Sequence, residues 1–163
     1  MQRRPIEGRT GLHDVVTGVY EVVFEEDLRP DDVALYAIES PHVEAEIEFP
    51  HIGINRRQWT EEWSPERRLE VLLHEFAHVE EAPDELDHDP AFYERLMALA
   101  ENAAANREEV EALFDAAIDF RAVKRHIVDS VNEYTIESHI DTVADRQAVL
   151  RDELALPEEP AGD

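Results

Sequence analysis

The sequence predicts an α+β fold: a small three-stranded sheet packed on one long helix, followed by a C-terminal helical extension. Three observations carry that prediction. Residues 33–38, 43–49 and 52–55 read as strands, the middle one by alternation of Val43, Ala45, Ile47 and Phe49 with Glu44, Glu46 and Glu48. Ser64, Pro65 and Glu66 then form an N-cap, a first-turn proline and an acidic first turn, and Leu69, Leu72, Leu73, Phe76 and Ala77 recur at helical spacing behind them. Beyond residue 90, cap signals and helical periodicity repeat almost to the end.

Taken in order, residues 1–11 carry Arg3, Arg4 and Arg9 and read as an extended arm able to clamp an acidic neighbouring subunit. Leu12, Val15, Val16, Val19, Tyr20 and Val23 predict a helix over about 12–26 with Thr10 as its cap, against the resistance of Gly18 and the β-branched valines. Pro50 separates the second strand from the third, Ile52, Gly53, Ile54 and Asn55, which is expected to be an edge strand that pairs with an extended peptide. Trp59 and Trp63 are expected to pack the corner between sheet and helix. After the long helix, Asp89 and Pro90 open a helix over about 90–105 with Phe92, Leu96 and Leu99 on its stripe. Asn106 and Glu109 form a capping-box pattern, and the helix it starts continues through Val110, Leu113, Phe114, Ala117, Phe120 and Ile127 to a break near 129. A last helix over about 131–154 has sparse apolar residues, which points to exposure or a partner. The expected organisation is an arm (1–11), a main domain (12–105), a helical extension (106–155) and an acidic tail (156–163).

The long helix contains H-E-x-x-H at His74, Glu75 and His78. Positions four apart lie one turn above each other, so both imidazoles can reach one metal ion from the same side. Glu75 projects beside that ion without ligating it and can take a proton from a water activated there. A third ligand is needed. His88, ten residues past His78 (88 − 78), opens the next helix and fits, because neutral imidazole suits zinc and the connection is short. Glu133 is the alternative. Asp84, Asp87 and Asp89 are close enough in sequence to orient the ligand rings. Tyr93 is a candidate oxyanion donor, as are Tyr134, His126 and His51, and the sequence does not rank them.

His74-Glu75-Phe76-Ala77-His78, a short loop, and His88-Asp89-Pro90-Ala91-Phe92-Tyr93 together resemble the zinc site of SprT-like and related minimal zincin metallopeptidases. In that family an aromatic follows the third histidine by about four positions, as Phe92 does here. A strand ending in Ile-x-Ile/Leu-Asn precedes the zinc helix, as Ile52-Gly53-Ile54-Asn55 does here. The likeness covers about residues 12–105. It departs at Asp89, where Gly or Ser is common, and the spacing differs from that of metzincins, since Glu81 and Asp84 stand where Gly and His are required. The resemblance implies a zincin-like fold, a zinc ion on His74, His78 and His88, peptide hydrolysis, and Glu75 as base.

Composition narrows the setting. With no cysteine, disulfides and thiolate metal sites are excluded, so the metal is held by histidine and carboxylate. No apolar run approaches transmembrane length and the start lacks an apolar leader, so the expectation is a soluble, cytoplasmic protein, or a virion component. Asp and Glu number 40 against 15 Lys and Arg, a net charge of −25 spread over every segment. That distribution favours a halophilic setting, in which salt screens the self-repulsion, and makes DNA a poor partner. Two functions compete: a zinc metallopeptidase acting on a protein or peptide substrate, and a structural subunit of a homo- or hetero-oligomeric particle assembled through the arm and the C-terminal helices.

Overall fold

The computed structural model describes residues 2–79 and 90–129. Asp84, Asp87, His88, Asp89, Glu133, Tyr134 and the helix expected at 131–154 therefore lie outside the described residues. The elements are β1 (Gln2–Pro5), α1 (Gly11–Phe24), a 3-10 turn (Pro30–Asp32), β2 (Ala34–Glu39), β3 (Ala45–Glu48), β4 (His51–Ile54), α2 (Arg56–Glu61), α3 (Pro65–Val79), α4 (Pro90–Ala105) and α5 (Arg107–Phe114). Residues 120–129 are helical and are called α6 below.

The α+β class is as predicted, but the sheet has four strands in the order β1-β2-β4-β3. The fourth comes from the arm. Gln2–Pro5 pairs antiparallel with β2, Arg3 opposite Ile38 and Arg4 opposite Ala37. Its side chains are exposed throughout, so hydrophobic patterning could not have revealed it. The open edge of β2 supplies backbone partners for it, and Arg3 and Arg4 reach Glu46 and Glu39. β4 runs parallel to β2 and antiparallel to β3, so it lies between them.

One face of the sheet presents Leu35, Ile47, Ile52 and Ile54 to the helices. Val16, Val19, Tyr20 and Val23 of α1 and Leu69, Leu72, Leu73 and Phe76 of α3 pack on it in the same cluster. The cap expected at Thr10 is present. Its hydroxyl accepts from the backbone N–H of His13, and the His13 ring closes a capping box by accepting from the Thr10 N–H at 3.1 Å. Gly18 is tolerated within α1 because α5 crosses there: a Cβ at that position would lie 2.5 Å from the Leu113 side chain. Trp59, on the unpredicted short helix α2, packs against Trp63 and stacks on Phe114 at 6.2 Å, which joins the corner to α5.

The helix expected from Asn106 through residue 127 is broken. Asp115 adopts a left-handed conformation with φ 52°, and the Glu111 carboxylate accepts from the N–H of Ile118 at 2.7 Å. Asp119 then caps the next turn through the N–H of Ala122 at 3.1 Å. The break turns Ile118 and Phe120 into the core beside Val123, Ile127 and Val128. Residues 106–129 thus share one hydrophobic cluster with the sheet and α3. Among the described residues no helix is long and apolar enough to cross a membrane.

Candidate metal centre

The site is built on α3. Ser64 starts the helix: its hydroxyl accepts from the N–H of Arg67 at 3.2 Å, and its carbonyl accepts from Arg68 at 2.9 Å. Leu69, Leu72, Leu73 and Phe76, each 1% exposed or less, fix which face is buried. The other face carries Arg67, Glu70, His74 and His78 in one stripe at helical spacing.

The two histidine rings are neighbours on the helix. Their ring centres lie 5.2 Å apart with the planes at 70°. Two imidazoles bound to one tetrahedral zinc at ~2.0–2.1 Å place their ring centres roughly 5 Å apart, so the separation of the rings matches that of a shared ion. Phe92, on the first turns of α4, touches both: its ring centre is 5.0 Å from that of His74 and 4.5 Å from that of His78, stacked on the latter at 29°. Phe92 is fully buried, so it holds both imidazoles against rotation. The sequence-predicted aromatic is therefore brought to the histidines. Glu75, between them in sequence, is buried to 9% exposure.

α4 is locked to α3 by Arg95, whose Nε donates to the Ala77 carbonyl at 3.0 Å, one of the carbonyls left over at a helix C-terminus. This places the start of α4 beside the histidines. His88, four residues before Phe92, lies outside the described residues. Among the described residues no group of three metal-ligating side chains converges; His74 and His78 form the pair.

The substrate-strand expectation needs correction. Ile52, Gly53, Ile54 and Asn55 do not form an edge: β4 is hydrogen-bonded to β2 on one side and β3 on the other. Ile52 and Ile54 are 1% exposed in the core. Gly53 lies under the Tyr36 ring, and Asn55 is a buried cap that accepts from Gln58 and donates to the carbonyls of Ser40 and Val43. Strands that follow one another in sequence are not always neighbours, and here β4 inserts between the two before it. The sheet edge on the α3 side is β3, which α3 packs along.

Of the proposed oxyanion donors, Tyr93 is 1% exposed and packs on Phe92. His51 starts β4 on the sheet face turned away from α3, lining a hollow of about 380 Å³ with Arg3, Tyr36 and Glu46. His126, on α6, is bonded by Nδ1 to the Glu70 carboxylate at 2.5 Å.

Sequence reasoning missed the network around Glu70. Arg67 donates to Glu70 at 2.9 Å and to both Glu44 oxygens at 2.6 Å, so α3, the entry to β3 and α6 are tied together one turn before His74. The available signal was the spacing of Arg67 and Glu70 with His74. Bonding to Glu70 raises the His126 pKa above its ordinary value, while burial lowers that of His13.

Compared with protein-family models, with curated proteins and with solved structures, the chain has no match.

Proposed function

We propose that the chain is a zinc-dependent peptidase of the SprT-like, minimal zincin kind. The observation that carries this reading is the His74–His78 pair, 5.2 Å between ring centres on one partly exposed helix face and in contact with Phe92, with the buried Glu75 between them in sequence. His74 and His78 would hold the ion. His88 is the third ligand in this reading, because four residues span at most ~14 Å of chain and Phe92 already touches both rings. A zinc ion held there would supply Lewis acidity, which lowers the pKa of water toward ~7.

Glu75 takes the proton from the attacking water and returns it to the leaving amine, so one carboxylate serves as base and then as acid. β3 supports the reading from the substrate side. It is an outermost strand of the sheet among the described residues, and an extended peptide would add there by backbone hydrogen bonds. The 40 acidic residues set the working conditions, since molar salt screens their repulsion.

The test compares wild type with Glu75→Gln in molar salt, by metal analysis and casein cleavage. Both proteins are expected to bind about one zinc each, and cleavage is expected to fall by about 10²–10⁴ in the variant. Equal cleavage by the two proteins rejects Glu75 as the base and the peptidase with it.

A further inference from the structure

The peptidase reading leaves one buried charge without a role. Glu70 lies one turn before His74 on the same face of α3 and is 8% exposed. A buried carboxylate is costly unless it is paired, and here Arg67 and His126 hold it at 2.9 and 2.5 Å. Joining α6 to α3 does not require this pair, because Phe120, Val123, Ile127 and Val128 already bury that helix in the core.

What the pair does fix is His126. Bonding Nδ1 to Glu70 sets the ring's tautomer and plane and leaves Nε2 as the outward nitrogen. Among the described residues Nε2 has no hydrogen-bond partner, and the side chain is 57% exposed. When protonated, the ring therefore presents an oriented Nε2–H to solvent beside Glu70, which lies one turn before His74 on α3. Tyr93 and His51 lack this combination, the first being buried and the second lying on the opposite side of the sheet.

We propose that His126 is a catalytic residue that donates from Nε2 to the carbonyl oxygen of a peptide bound over His74 and His78, with Glu70 as its positioning residue. This rests on the peptidase reading above. No bond is made to His126. It donates a hydrogen bond as negative charge grows on the oxygen, while Glu75 carries the proton from water to the amine. Glu70 also favours the protonated ring, the form in which Nε2 carries a hydrogen.

The test uses the full chain, loaded with zinc, as wild type, Glu75→Gln, His126→Ala and Glu70→Gln. Casein cleavage, zinc content and melting temperature are measured, together with calorimetric binding of an N-phosphoryl dipeptide, whose tetrahedral anion mimics the charge developed during attack. Loss of one such donor costs about 100-fold in kcat. His126→Ala is expected to lose that much with zinc content and melting temperature unchanged, and to bind the phosphoryl dipeptide at least tenfold more weakly. Glu70→Gln is expected to move in the same direction by less. Unchanged kcat and unchanged phosphoryl binding in His126→Ala, with Glu75→Gln inactive, overturn the role of His126 and leave the peptidase standing. Activity lost together with zinc or with the fold marks His126 as structural and also overturns it. If zinc-loaded wild type cleaves no faster than Glu75→Gln, the peptidase reading fails, and this assignment with it.

Discussion

His126 and Glu70 show how far one side chain can depend on a neighbour brought in by the fold. The Glu70 carboxylate raises the His126 pKa, chiefly by direct bonding and against the opposing effect of burial. The folded-state value therefore exceeds the unfolded one. The stability that the pair contributes is complete below the unfolded pKa and is lost as pH rises through the folded value. Half-exposure keeps that contribution small. An NMR titration of the His126 ring is expected to give a midpoint above the ordinary 6.5, and Glu70→Gln is expected to bring it back toward 6.5. A midpoint at or below 6.5 in wild type contradicts the bond to Glu70. His13 has the opposite sign: burial lowers its pKa, so acidification below the unfolded value disfavours the fold there.

At the scale of elements, the sheet is held across its outer face by a strap. Tyr36 and Glu46 stand on either side of Gly53 in register, and the Tyr36 hydroxyl donates to Glu46 at 2.8 Å across β4. Burial and that bond push the Tyr36 pKa up to about 12, while Arg3 from β1 holds the Glu46 carboxyl below its usual range. Both edge strands, β1 and β3, are tied through this row. Gly53 makes it possible, because a Cβ there would lie 2.3 Å from the Tyr36 ring. Gly53→Ala is expected to lift the ring, break the bond to Glu46 and cost about 1–3 kcal/mol in a denaturant melt. A variant as stable as wild type shows that the ring moves aside freely. In the proposed peptidase reading, the same strap fixes the edge strand suggested to receive a peptide.

For the whole molecule, charge is the dominant fact. A net −25 on 163 residues repels itself at ordinary ionic strength. Raising salt from 0.1 to 1 M shortens the screening length from ~10 to ~3 Å. The melting temperature is expected to rise by about 5 °C or more over that range, equivalent to ~1–3 kcal/mol for a chain of this size. A flat or falling melting temperature measured by calorimetry rejects the high-salt setting. The described ion pairs are mostly exposed and are screened as salt rises, so the net effect tests which contribution dominates.

The sequence by itself determined what is local. Thr10 and Ser64 announced their helices because a cap is made within a few residues, and the i, i+4 spacing of His74 and His78 follows from helix geometry alone. Alternation in β3 was legible for the same reason. Tertiary structure decided what depends on partners distant in sequence. β1 has no hydrophobic pattern and exists because β2 offers it an edge; β4 lost the expected edge position because the chain inserted it between β2 and β3. Glu70 and His126 are 56 positions apart (126 − 70), and no periodicity links them. Strand order and cross-helix ion pairs are set by which surfaces bury each other, a property of the packed chain that no single stretch of it encodes.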